Sequence, residues 1–321
     1  MDRQPGRLLL ALVASLSMAI AASGLASAHP SDRVVSAGTE VLPIFRGHVQ
    51  PANSHKPVRN NNLSSHGGPI QVTPKVYISW WGPEWASGFT TGGYASATAQ
   101  TYNTNFFSNV GGSSWNNVVK QYCDNVPSGT QNCASVAGAT FIQNPSSQFG
   151  GAWNDTTAVP ASPTQTDIFN AAKRLQSHFG ALDPEATYMV YTPHGKSMNG
   201  FGTQWCAWHS SGSVGNGQLA YGYIPYMPDA GASCGMNFIN GNNTYGNGYL
   251  DGFSVVAGHE YSEAETDPFP NTGWLDRNGA ENADKCAWSA SSGNITLSGG
   301  HFYAVQPTWS NATGGCAMSA P

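Results

Sequence analysis

Charge is scarce in this chain. Of 321 residues, 13 are Lys or Arg and 18 are Asp or Glu, 10% in all, and the basic ones form no cluster or stripe. That excludes the electrostatic footprint by which a protein holds nucleic acid or an anionic membrane as its main partner. Other things are missing too. There is no C-x-x-C pair, which argues against a thiolate zinc cluster, and no G-x-S-x-G elbow, which removes support for an α/β-hydrolase serine triad. No internal repeat appears, so a solenoid is excluded. Beyond the first thirty residues no run of about 18 apolar residues occurs, so a soluble mature chain is expected. With so few charges, solubility falls to Asn, Ser, Thr and the 38 Gly residues.

The opening of the chain has the three parts of an export signal: Arg3 and Arg7, an apolar run from Leu8 to Leu25, and the cleavage-like triplet Ala26-Ser27-Ala28. Residues 1–28 therefore read as a signal peptide. Its removal takes away Asp2, Arg3 and Arg7, one net positive charge, so the formal charge moves from −5 to −6. Six cysteines then remain in an oxidising compartment. Their order favours the local pairs Cys123/Cys133, Cys206/Cys234 and Cys286/Cys316, one of fifteen possible connectivities. Residues 29–66 are rich in Asn, Ser, Pro and His and read as a propeptide or flexible arm, with V-L-P-I-F at 41–45 as its one apolar patch; a strand docking over 41–46 is the alternative.

Residues 67–321 read as a single α/β domain with a central mixed sheet flanked by helices, loop-rich and stapled by disulfides. In K-V-Y-I-S-W-W-G, Val76, Ile78 and Trp80 alternate with Tyr77, Ser79 and Trp81, apolar or aromatic on both faces, as in a strand covered on two sides. A helix is expected over 95–109 and a strand over 115–123. The stripe Ile168, Phe169, Ala172, Leu175 and Phe179 predicts a helix over 163–179, capped by Thr166 and ended by Gly180. A strand follows at 188–191. From there to about Leu250 loops and short strands are expected. A second helix covers 252–266 with Phe253, Val256, Ala257 and Ala264 inward, and H-F-Y-A-V-Q-P-T-W-S-N near the end reads as a closing strand.

Chemistry concentrates at G-H-E-Y-S-E-A-E-T-D, residues 258–267. His259 and Glu260 begin as a zinc-peptidase helix begins, but Glu263 stands where a second histidine belongs. On a helix, positions four apart share a face, so His259 and Glu263 can grip one ion from successive turns. Glu260 lies about 100° round the axis, where a carboxylate can serve as general base towards water. Glu281 is the candidate third ligand and Asp284 a support for His259, the pattern that thermolysin-like zinc peptidases show downstream of their helix. The ion would be zinc. Calcium is the alternative, using oxygens of Glu263, Asp267, Asp276, Glu281 and the D-R-N-G loop, and a metal-free network is a third. His194 and His209 occupy apparent loops beside aromatics, where either can orient substrate or act as an acid. His301 reads as strand packing, and the acids at 263, 265, 267 and 276 leave a glycosidase pair open. If the arm is a propeptide, His48, His55 or His66 offers a temporary ligand.

The segments W-C-A-W-H-S-S, A-Y-G-Y-I-P-Y and L-D-G-F-S-V-V-A-G-H-E-Y-S-E-A-E-T-D-P-F, with G-W-L-D, a downstream Glu and a Cys, follow one another in an order that resembles the phosphate-induced protein 1 or EXORDIUM-like family. The opening G-G-P-I and V-Y-I-S-W-W-G are similar as well. The resemblance covers most of 66–290 and implies a secreted or cell-wall-associated protein. The plant members carry T-N-P where this chain has Thr266-Asp267-Pro268 and do not reliably show the His-Glu pair, so the resemblance assigns no catalytic residue.

Two expectations follow. The residues themselves favour a secreted metal-dependent hydrolase, a peptidase, acting as a monomer on a protein or cell-wall polymer. The other expectation is a non-catalytic wall or glycan-binding protein, in which the tryptophans of W-W-G-P-E-W and W-C-A-W-H stack on sugar rings.

Overall fold

A computed structural model describes Met1, Thr39–Pro43 and residues 61–321. The rest of the segment read as a signal peptide, and most of the one read as a propeptide or arm, with His48 and His55, lie outside the described residues.

A six-stranded mixed sheet organises the domain. In chain order its strands are β1 (Thr39–Pro43), β2 (Lys75–Trp81), β3 (Phe149–Asp155), β4 (Ala186–Tyr191), β5 (Trp205–Val214) and β6 (Gly217–Ile224), and across the sheet they run β1-β5-β6-β4-β2-β3. β6, β4, β2 and β3 are mutually parallel, and β5 is antiparallel to both β6 and β1. Parallel neighbours need crossovers: α1 (Ser96–Val110) lies in the one from β2 to β3, α2 (Gln165–Phe179) in the return from β3 to β4, and β5 itself in the one from β4 to β6. The two helices end up on opposite faces. Val76, Ile78 and Trp80 of β2 join the core that holds α1, whereas Trp81 packs in the core that holds Ile168 and Leu175 of α2. The alternation read from the sequence is therefore a strand covered on both sides.

Helix ends follow local chemistry. α2 is capped by Thr164, not Thr166: Thr164 accepts the Asp167 N–H while the Asp167 carboxylate accepts the Thr164 N–H, and Gly180 closes the other end at φ 125°. The expected strand at 115–123 is instead a 3₁₀ helix over Asn116–Gln121, and Trp115, Val118, Val119 and Tyr122 are buried at the three-to-four spacing of a helix face. The Gly- and Ser-rich stretch read as loops and short strands contains the longest hairpin in the described chain, β5 and β6. They meet at a two-residue turn whose first position, Gly215, takes φ 57°, as a glycine-first hairpin turn requires. His209, expected in a loop, is thus on a strand. The closing strand is two short ones, Phe302–Val305 and Thr308–Ser310, broken at Gln306-Pro307. His301 is exposed, its ring stacked on Tyr245 at 3.8 Å, rather than packed in a strand.

The three disulfides pair Cys123–Cys133, Cys206–Cys234 and Cys286–Cys316. Among the described residues no helix is long and apolar enough to cross a membrane.

Helix α3 (Asp251–Thr266) carries the candidate site. The expected inward stripe understates it, because all sixteen residues are buried. Asp251 fixes its start by accepting the N–H groups of Ile239, Asn240 and Gly248. Its end comes at Asp267, which leaves the helical conformation (φ −148°, ψ 68°) before Pro268; the Asp267 carboxylate accepts N–H groups from Asn271, Thr272 and Gly273. Near its start a Cβ added at Gly252 would lie 2.2 Å from the Cys234 carbonyl oxygen. Gly252→Ala should therefore destabilise the protein by about 2 kcal/mol or more, lowering the urea midpoint; an unchanged midpoint would show that the chain at Cys234 yields freely.

Candidate metal centre

Three elements meet at the middle of α3. The helix offers His259, Glu260 and Glu263. β5 brings His209, on the face of the sheet that looks at α3. The segment 276–286 brings Glu281 and Asp284 from a loop and a 3₁₀ turn. His209, His259, Glu260, Glu263 and Glu281 have no solvent exposure; Asp284 keeps 21% of its side chain exposed.

Glu263 lies between the two imidazoles. Its Oε1 is 3.0 Å from His259 Nε2, and its Oε2 is 3.5 Å from His209 Nδ1. Asp284 Oδ1 stands 3.7 Å from His259 Nε2, and the Asp284 N–H donates to Glu263 Oε1 at 2.9 Å. On the other side Glu260 Oε2 is 3.2 Å from His209 Nδ1, and Glu281 Oε1 is 3.7 Å from His209 Nε2. Glu281 thus faces His209, Glu263 and Asp267. The carboxylate at ligand distance from His259, beside Glu263, is that of Asp284, which changes the expected triad His259/Glu263/Glu281.

Gln306 decides the state of His259. Its amide nitrogen donates to the Ala283 carbonyl at 2.8 Å, which turns its Oε1 towards His259 Nδ1 at 3.1 Å. Nδ1 therefore carries the proton, and Nε2 presents a lone pair to Glu263 and Asp284. Nε2 makes no hydrogen bond. A lone pair 3.0 Å from a carboxylate oxygen needs a cation or a proton between them. No sequence signal marked Gln306, since a single Gln in an aromatic strand carries no pattern. His209 had a weak one, as the last residue of the alternating run W-C-A-W-H.

Burial sets the charges. It pushes the Glu263 carboxyl up to about 8, and drives the His209 imidazole down to about 3 with the help of nearby His259. His259 is lowered for the same reason, and Glu265, on another face of the helix with Asn116 as donor, is pushed up to about 8. Two groups can hold a metal ion, His209/Glu260/Glu263 and His259/Glu263/Asp284, and Glu263 belongs to both. Ligands about 2.1 Å from zinc in a tetrahedron sit about 3.4 Å apart. The separations of 3.0 to 3.7 Å found here match that spacing. The buried His and Glu side chains fit a cation.

The other candidates lie elsewhere. His194 is exposed and bonds Asp229 at 2.5 Å beside Phe89 and Tyr226. His66 is exposed, its Nδ1 3.0 Å from the Ser64 carbonyl. Asp276, one of the oxygens expected around calcium, is held by Lys285 at 2.9 Å and by Asn61. Asp267 spends its oxygens on backbone N–H groups. The tryptophans expected to stack on sugars, Trp80, Trp81, Trp85, Trp205 and Trp208, are all buried.

Searches of family models, curated proteins and solved structures return no match for this chain.

The metal-free cluster makes stability fall as pH rises. Glu263 and Glu265 keep protons to about 8 when folded but release them near 4.5 when unfolded. Each favours the folded state fully below 4.5 and loses that contribution as pH climbs to 8. His209 acts oppositely, because unfolding lets it bind a proton below 6.5, so its effect ends above that pH. Between pH 6.5 and 8 the glutamates act without that opposition. The chelated protein should lose about 5 °C or more of Tm over that interval, by calorimetry; a rise would reverse the assignment.

Proposed function

We propose that the chain is a secreted metal-dependent hydrolase that cleaves peptide bonds, with zinc held by His259, Glu263 and Asp284. The observation that carries this reading is the bare Nε2 of His259 facing Glu263 and Asp284, with its Nδ1–H fixed by Gln306. One nitrogen and two carboxylates suit zinc, and a glutamine holding the far side of the imidazole is the support a metal-binding histidine needs. Asp284, partly exposed, marks the side from which solvent reaches the centre. Bound there, the ion supplies an electrophile for a carbonyl group and makes water more acidic.

The chain's own residues supply the rest. Glu260 is the general base, and His209, 3.2 Å away and uncharged at neutral pH, orients its carboxylate. Glu281 faces the same imidazole from the loop, its Oε1 3.7 Å from His209 Nε2.

A second reading has its own observation in its favour. His209, Glu260 and Glu263 are completely buried, which suits a cation that ties α3 to β5 and does no chemistry. Two variants separate the readings. Under the hydrolase reading the purified protein carries about one zinc per chain, Asp284→Ala weakens metal binding by about 10-fold or more, and Glu260→Gln keeps the metal while turnover of a protein substrate drops at least about 100-fold. If Glu260→Gln itself sheds the ion, and no turnover is found before or after, the cation is structural. A protein purified without any transition metal would end the zinc proposal.

A further inference from the structure

β1 comes from the arm that precedes the domain, yet its described contacts are with the domain. It lies antiparallel along β5, with Thr39 opposite Ser210, residue 40 opposite His209, Val41 opposite Trp208 and Leu42 opposite Ala207. Leu42 is completely buried in the core shared with α3. Thr39 Oγ1 donates to Ser210 Oγ at 3.0 Å and accepts from Gln165 Nε2 at 2.6 Å. The Pro43 carbonyl accepts the Trp288 indole N–H at 2.7 Å.

Without these five residues the outer edge of β5 would present a row of unpaired backbone donors and acceptors beside an apolar hole, along the strand that carries His209. We infer that this edge is a binding site for an extended peptide, and that Thr39–Pro43 is its displaceable internal occupant. Recognition is by strand addition: the backbone ladder gives affinity, and alternate side chains give specificity. The chemistry of the pockets defines the ligand. It has a hydroxyl residue where Thr39 meets Ser210 and Gln165, an aliphatic residue three positions later where Leu42 enters the core, and a free carbonyl for Trp288 one residue further on. Such a peptide runs about 4.8 Å from the strand bearing His209. Where the hydrolase reading holds, Thr39–Pro43 occupies a substrate track and keeps the enzyme closed; the binding site itself does not depend on that reading.

The test uses the full chain. One variant carries a specific protease site within residues 47–57 and is cut after folding, so that the arm is no longer covalently held; a second is Leu42→Asp. The probe is a fluorescent synthetic peptide of residues 36–46. Both altered chains should take up one equivalent, at least about 10-fold more tightly than the intact chain, which must displace its own tethered strand first. A probe carrying Leu42→Asp should not bind either. Hydrogen exchange at the backbone amides of Trp205–Ser210 should rise on cutting and fall again when the probe is added. Absence of uptake by the cut chain, or equal uptake by cut and intact chains, overturns the inference. If Leu42→Asp does not fold, the cut chain carries the test alone. Neither readout involves turnover or metal, so failure here leaves the zinc proposal standing, and a metal-free protein leaves this one standing.

Discussion

Glu263 stands between two imidazoles in a buried part of the protein, and a carboxylate so placed must be matched by something positive. Burial, helped by Asp267 at Glu263 and by His259 at His209, holds its proton up to about 8 and keeps His209 neutral, so the metal-free cluster survives by staying uncharged. That is costly for groups that would otherwise ionise, and a divalent cation removes the conflict by letting the carboxylates be charged where they lie. Much of the fold serves this one arrangement. The helix is buried all round, so that one face can offer His259 and Glu263 while another meets β5. Gln306 falls between two short strands, where the ladder breaks and frees its amide to reach both Ala283 and His259.

The helix and its ligand spacing could be read in the sequence because both are local. Positions 259 and 263 share a face whatever else the chain does. The candidates His209, Glu281 and Asp284 could be named, but how they meet the helix could not be read, because they arrive through tertiary contacts. His209 lies 50 residues before His259, on a strand hidden in a Gly- and Ser-rich stretch whose composition resembles loop. Glu281 and Asp284 were both visible, but which of them faces His259 depends on a 3₁₀ turn that no periodicity announces. The same holds elsewhere. Trp115, Val118, Val119 and Tyr122 have a helical interval, but the dense aromatic and β-branched content of that segment suggested a strand. The arm's V-L-P patch signalled burial without saying against what, and pairing with β5 is a long-range event.

The tryptophans teach the converse lesson. Ten of them in a chain with little charge suggest a sticky surface. The structure uses Trp80, Trp81, Trp85, Trp205 and Trp208 as filling between the sheet and its helices. Aromatic side chains bury large areas and suit a sheet covered on both faces, so their number here reflects the thickness of the core. The sparse charge has a similar explanation, since several of the acids sit around α3 and not on the surface.

The Cys286–Cys316 bridge has a consequence for the order of assembly. It joins the segment that carries Glu281 and Asp284 to residue 316, and Gln306 lies inside the loop it closes. The centre therefore cannot be complete until Gln306 has been made, and its covalent lock, which needs Cys316, forms only where thiols are oxidised. A growing chain holds no finished cage, and whatever ion it takes is drawn from the compartment in which folding ends.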